Sequence, residues 1–136
     1  MEDEDQRRPR IVVVGPCAAG KTTLVAGLAA AYDIRSCAQE HSHVPDLWRR
    51  FSRADVLVFL DVGLPTIAQR LGGSDWTPAI LDEQRRRLAD ARAHCDFYLV
   101  TDGLTPQQVA AAVEGFLEQR GIFPRSQGPR EDQAPG

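Results

Sequence analysis

The sequence predicts an α/β protein, a compact parallel sheet of about four strands with helices on both faces. Three observations carry that expectation. The runs Ile11-Val12-Val13-Val14, Val56-Leu57-Val58-Phe59-Leu60 and Phe97-Tyr98-Leu99-Val100 are apolar throughout, as strands buried on both faces must be. Segments with apolar residues at helical spacing alternate with these runs. Helix start signals, Thr77-Pro78 and the capping-box pattern Thr105-Pro106-Gln107-Gln108, open two of those segments.

Taken in order, residues 1–9 read as an unstructured tail, four acids followed by two arginines and a proline. Residues 124–136 are rich in proline, glycine and charge and bury too little apolar area to offset ordering entropy. The folded domain is therefore expected over 10–123. The first strand is Ile11–Val14. From Lys21 to Tyr32, Leu24, Val25, Leu28 and Tyr32 recur as on one helix face. Ile34–Gln39 is a weaker second strand. Val44, Leu47, Trp48 and Phe51 then suggest a short helix with Pro45 in its first turn. After the strand Val56–Leu60, Pro65 opens a helix that closes at Gly72-Gly73. Thr77 caps a helix expected to run to about His94. The last strand, Phe97–Val100, is followed by a helix from Thr105 to Gly121.

Composition narrows the function. The 136 residues carry 16 Lys+Arg against 19 Asp+Glu, a net charge of −3, which argues against a nucleic-acid binder working through a basic surface. No apolar run approaches the roughly 20 residues of a membrane span. The charged start has no apolar core of a secretory signal. Cys17, Cys37 and Cys95 are odd in number and widely spaced, as expected of a reduced, cytoplasmic chain. Fifteen of the basic residues are arginine, and Lys21 is the only lysine.

In a parallel α/β sheet the ligand lies beyond the carboxyl ends of the strands. The residues just past those ends are Gly15–Thr22, Glu40–His43, Asp61–Gly63 and Thr101–Leu104. The first of these, Gly15-Pro16-Cys17-Ala18-Ala19-Gly20-Lys21-Thr22, matches G-x-x-x-x-G-K-[ST] between a strand and a helix. Gly15 and Gly20 let the backbone approach oxygen closely. Successive N–H groups, with Thr23 next in line, form an anion nest at the positive end of a helix. Lys21 reaches the β- and γ-phosphates of a nucleotide, and the Thr22 hydroxyl is a hard ligand for Mg²⁺.

On these residues the chain resembles the P-loop NTPases, and among them the small P-loop kinases that phosphorylate nucleotides and other metabolites. The resemblance spans about residues 10–121. It implies binding of ATP and Mg²⁺ and transfer of the γ-phosphoryl to a small-molecule acceptor. Val56–Val62 followed by Pro65–Leu71 looks like the strand and helix leading to the arginine-bearing lid of those kinases, which makes Arg70 and Arg85 candidate catalytic arginines. Cys95–Leu104 looks like their last strand, whose following loop, Asp102, Gly103 and Leu104, brushes the adenine ring. The chain departs from the family in length: only Ile34–Asp55 separates the loop helix from the next strong strand. That leaves little room for an acceptor-binding subdomain, and a nucleotide-holding module without turnover, or an ATPase without a dedicated acceptor, is the alternative.

The acid that serves the metal or the acceptor has two candidates, Glu40 after the weak strand and Asp61 after the strong one, with Asp61 marginally favoured for its better-defined strand. His41-x-His43 alone is a poor zinc site. Trp48 belongs to a core face, with Arg49, Arg50 and Arg53 outward. On a helical wheel Leu81 and Leu88 define the inward face of their helix. Arg85 and Arg92 fall within about 40° of it, Arg86 points away, and Arg87 lies over about 90° off. Arg92 stands equally as phosphate ligand or as a snorkelling side chain. Trp76 is either a lid anchor or core. Cys17 reads as a small loop filler rather than a redox centre.

Overall fold

Strand pairing sets the frame. In the computed structural model, which describes residues 8–72 and 76–125, β1 (Arg10–Val14), β2 (Asp33–Ser36), β3 (Val56–Asp61) and β4 (Phe97–Val100) form one parallel sheet in the order β2-β1-β3-β4. Among the described residues five α-helices lie between the strands, α1 (Lys21–Leu28), α2 (Leu47–Arg50), α3 (Leu64–Leu71), α4 (Pro78–Arg87) and α5 (Ala89–His94), and α6 (Pro106–Gln119) follows β4. Parallel neighbours require a crossover at each connection, and crossovers cover faces. Side chains alternate along each strand, so two cores result. Ile11, Val13, Val56, Val58 and Leu60 pack against Leu24 and Leu28 of α1 and Val109, Val113 and Leu117 of α6. Val12, Val14, Leu57 and Phe59 face the opposite layer, closed by Trp48 of α2 and Ala91 of α5. The expected α/β class, strand number and two-faced covering are all present.

Details differ where a polar residue or a bend overrides local pattern. β2 stops at Ser36, short of the expected Gln39. The chain then enters a 3-10 turn at Gln39–His41, organised by the fully buried Gln39. Its amide nitrogen donates to Val44 O and Arg87 O, and its Oε1 accepts from Trp48 N. Pro45 precedes α2 instead of sitting in its first turn, because Asp46 is the residue at the helix start. The helix expected from Thr77 to His94 is two, with a break at Leu88 (φ −95°, ψ 0°). The bend lets Leu81 enter one core and Leu88 the other. Thr77 and Thr105 both cap as expected, and Thr105 with Gln108 completes the capping box. α6 ends at Gln119 with Gly121 in the left-handed region just beyond.

The expected tails begin inside the described chain. Arg8 donates to Phe123 O at 2.8 Å, and Arg125 N donates to Ala31 O at 2.7 Å, so residues 8–9 and 124–125 lie along the end of the sheet where β1 starts. Residues 1–7 and 126–136, the rest of both expected tails, fall outside the described residues. So does Gly73, half of the expected helix stop; Gly72 is the left-handed residue that ends α3. No helix among the described residues is long and apolar enough to cross a membrane.

The chain passes close to β3 just after it leaves β1. A Cβ on Gly15 would lie 2.0 Å from the Leu60 carbonyl oxygen, a backbone atom held in the sheet. Gly15→Ala is therefore expected to lower the unfolding free energy by about 3 kcal/mol or more, since relief requires separating two central strands. Thr105→Ala removes one cap and should cost about 1 kcal/mol. Urea melts of both variants measure the contrast, and equal midpoints for Gly15→Ala and wild type would refute the close approach.

Candidate functional site

The loop between β1 and α1 has the backbone its sequence requires. Gly20 sits in the left-handed region (φ 103°) as the residue before α1, and Ala18 shares that region (φ 66°) despite its side chain. A non-glycine residue there stores strain that neighbouring contacts must hold. No side chain caps α1 at Gly20, so its first-turn N–H groups remain open to a ligand. A Cβ at Gly20 would meet nothing within 4 Å. The open side borders a cavity of about 400 Å³, walled by residues 18–24, by Arg70 and Leu71 of α3, and by Thr101, Leu104, Pro106 and Val109. That volume is in the range of small-ligand pockets.

Lys21 lies across the loop. Its Nζ donates to Gly15 O at 2.8 Å and Pro16 O at 3.0 Å, and pairs with Glu40 Oε2 at 3.1 Å. Both side chains are largely buried, with 12% and 5% exposed. Glu40 therefore meets the loop directly, although 19 positions separate it from Lys21 in sequence. Arg70 approaches from the other side: its Nη1 donates to Ala18 O at 2.7 Å and to Thr101 Oγ1 at 3.1 Å, and its Nη2 donates to Thr101 O at 2.7 Å. The Thr101 hydroxyl donates in turn to Ala19 O at 3.0 Å. Lys21, Glu40 and Arg70 thus converge on one loop. Thr22 and Thr23 are exposed at the start of α1, where both face the cavity wall.

Asp61 and Arg85 are placed differently from that group. Asp61 Oδ1 accepts from Val62 N at 2.8 Å and Arg85 Nη2 at 3.1 Å, and Oδ2 accepts from the Tyr98 hydroxyl at 2.5 Å. Both Asp61 carboxylate oxygens are engaged, whereas Glu40 has one oxygen, Oε1, with no hydrogen-bond partner among the described residues. Burial, reinforced by that bond to Asp61, pushes the Tyr98 phenol above its ordinary range. Arg85 faces inward as the wheel predicts but braces Asp61 and Val62 O rather than the loop. Arg92 stacks over the Tyr98 ring at 3.7 Å, and Arg86 pairs outward with Glu83. Arg87 turns back to Glu40 O at 3.4 Å and to Glu83, closer to the site than its wheel position suggests.

The expected adenine loop divides. Leu104 lines the cavity, whereas Gly103 is not among the lining residues and Asp102 faces the β3–α3 turn. Its carboxylate accepts from Gly63 N at 3.1 Å and from the Thr66 hydroxyl at 2.5 Å. The Thr66 hydroxyl, then the Gly63 N–H, hold its carboxyl below the usual range. Trp76 packs half-buried against the first core. Trp48 is core, its indole N–H donating to Asp90 at 2.9 Å. Arg49, Arg50 and Arg53 are exposed.

Two polar residues escaped the sequence reading. Gln84 is buried on the face of α4 that meets Cys17: Cys17 N donates to its Oε1 at 3.0 Å, and its Nε2 donates to Cys17 Sγ at 3.3 Å. A signal existed, since Gln84 is i+3 from Leu81 and i−4 from Leu88 and so shares their inward face. Thr101, 1% exposed, gave only its place at a strand end. No known family model matches the chain, and no curated protein matches it.

Two consequences are measurable. Arg85→Ala, which strips Asp61 of one partner, should cost about 1 kcal/mol of stability, discounted for partial exposure; Arg86→Ala should stay within about 0.5 kcal/mol. Asp102 has a folded-state pKa below its unfolded value. Its stabilisation is complete above the unfolded carboxyl value of about 3.9 and is lost as pH falls through the lower folded value. Asp102→Asn should flatten that acid limb in denaturant melts taken between about pH 5 and pH 2; an unchanged limb would remove Asp102 as its source.

Proposed function

We propose that the chain is a small P-loop NTPase of the nucleotide- and metabolite-kinase type, binding Mg·ATP and transferring the γ-phosphoryl to a small-molecule acceptor. The observation that supports it best is the position of Lys21, a cation lying over a loop with left-handed residues at Ala18 and Gly20, beside a cavity of about 400 Å³. The donor set suits a triphosphate: open first-turn amides, one ammonium, and one guanidinium at the cavity edge. Bound ATP would supply the transferable phosphoryl group, and Mg²⁺ would neutralise phosphate charge.

The chain's own residues do the rest by placement and charge. The loop amides of Ala18 and of Gly20 to Thr23 hold phosphate oxygens, with Ala19 N kept on Pro16 O. Lys21 exchanges its bonds to Gly15 O, Pro16 O and Glu40 for phosphate, so its ammonium is already in place and merely changes partner. The Thr22 hydroxyl and the Glu40 carboxylate are the hard oxygens available to a magnesium shell. Glu40, once released by Lys21, is also the carboxylate able to accept a proton from an acceptor hydroxyl. Arg70 carries the charge that meets the transferring group from the α3 side. Asp61 with Arg85 and Tyr98 keeps the carboxyl end of β3 rigid behind the loop.

ATP with Mg²⁺ at 100 times its Kd should stabilise the fold by about 2.7 kcal/mol, and Lys21→Ala should remove most of the resulting rise in Tm. Glu40→Gln should retain the rise yet lose turnover in a metabolite-library phosphorylation assay, whereas Asp61→Asn should keep turnover and lose stability. An unaltered Tm rise in Lys21→Ala would overturn nucleotide binding by this loop. Tight ATP binding by wild type with no turnover on any acceptor or on water would leave a kinase-like nucleotide-holding module in place of the enzyme.

A further inference from the structure

We propose that Cys17, Glu40 and His41 form a binding site for a zinc-class divalent transition-metal ion. The three residues come from two segments, the loop after β1 and the 3-10 turn after β2, which the parallel pairing of those strands brings side by side. Their donor atoms all lie within 4.8 Å of one another. Tetrahedral zinc with Zn–S about 2.3 Å and Zn–N or Zn–O about 2.0–2.2 Å sets sulfur and nitrogen about 3.6 Å apart and nitrogen and oxygen about 3.4 Å apart. Cys17 Sγ is 3.7 Å from His41 Nε2, and His41 Nε2 is 3.6 Å from Glu40 Oε2. Two edges of the coordination tetrahedron are already at length.

A second observation points the same way. Glu40 is 4% exposed, and among the described residues its buried Oε1 has no hydrogen-bond partner. An unpaired buried carboxylate oxygen is costly, so Glu40 is short of a partner at Oε1, while Oε2 is the oxygen set 3.6 Å from His41 Nε2 and 3.1 Å from Lys21 Nζ. The sulfur is held in place from behind, since Gln84 accepts from Cys17 N and donates to Cys17 Sγ; such outer hydrogen bonds orient metal ligands. One thiolate and one carboxylate neutralise a divalent ion, with the Cys17 proton released to solvent on binding. Lys21 shares the Glu40 carboxylate, and its bonds to Gly15 O and Pro16 O anchor it when that carboxylate turns to metal. The sulfur and imidazole donors select zinc-class ions over magnesium or calcium. The exposed His41 ring provides the entry side, and three protein ligands leave a fourth position for water.

The test uses the full chain without nucleotide, so its outcome is independent of the kinase reading. Co²⁺ should bind one per chain with a near-ultraviolet thiolate-to-cobalt charge-transfer band, and Zn²⁺ should release about one proton per ion at neutral pH. Cys17→Ser should abolish the band. His41→Ala should weaken Zn²⁺, titrated against a chromophoric chelator, by about tenfold or more, while His43→Ala and Cys95→Ser leave it unchanged. Should Cys17→Ser fail to fold, alkylation of wild type mapped by mass spectrometry gives the same answer: Zn²⁺ should protect Cys17. A band that survives in folded Cys17→Ser, equal losses in His41→Ala and His43→Ala, or undiminished Cys17 alkylation with Zn²⁺ present would each overturn the site.

Discussion

Everything at the carboxyl end of the sheet depends on one steric constraint, the absence of room for a side chain where the chain leaves β1. With the Gly15 Cα directly against the Leu60 carbonyl, the loop passes over the end of β3 and turns back into α1. That path puts Lys21 within reach of Gly15 O and Pro16 O. It also lays Ala18 and Ala19 where Arg70 and Thr101 hold their carbonyls. The left-handed conformation of Ala18 persists because the loop is gripped from three sides: by Gln84 at Cys17, by Arg70 at Ala18 and by Thr101 at Ala19. Strain in the loop is held by contacts from α3, α4 and the end of β4, elements distant in sequence.

Arginine dominates the charge for a related reason. Arg70, Arg85 and Arg92 work here as struts: one fork spans Ala18 and Thr101, one joins α4 to Asp61 and Val62, and one lies flat on Tyr98. A planar, multiply donating group suits bridging between backbone carbonyls and aromatic faces, whereas a point charge on a flexible stem does not. Lysine is used only at Lys21, where a compact cation meets two loop carbonyls and the Glu40 carboxylate at once.

Much of this was legible in the residues. Strands with both faces apolar announced themselves in β1, β3 and β4, and alternation with helical segments gave the parallel sheet. Capping chemistry placed Thr77 and Thr105, and glycine spacing placed the loop. What stayed hidden was long-range and polar. Nothing local distinguishes Glu40 from Asp61; only the lateral pairing of β2 with β1 brings Glu40 to Lys21, while Arg85 and Tyr98 occupy Asp61. Cys37, four positions from His41 in sequence, is buried in the second core, and the thiol that meets His41 is that of Cys17, 24 positions away. Pattern alone extends α4 through Leu88, because periodicity cannot register a helix bending between two cores. Asp102 was grouped with its loop neighbours, yet the nearest N–H and hydroxyl, on Gly63 and Thr66, draw it inward.

The solitary lysine has a consequence for covalent chemistry. Within these 136 residues every side-chain amine is the amine of Lys21, and that amine bridges two loop carbonyls and a buried carboxylate. Acylation there erases the charge, leaving Glu40 without its counter-ion and the loop without its crosspiece in a single event. Reagents directed at side-chain amines consequently have one address in this chain. The rate at which they reach it reports how often the lysine leaves Glu40, which makes ordinary amine labelling a clock for the opening of this loop.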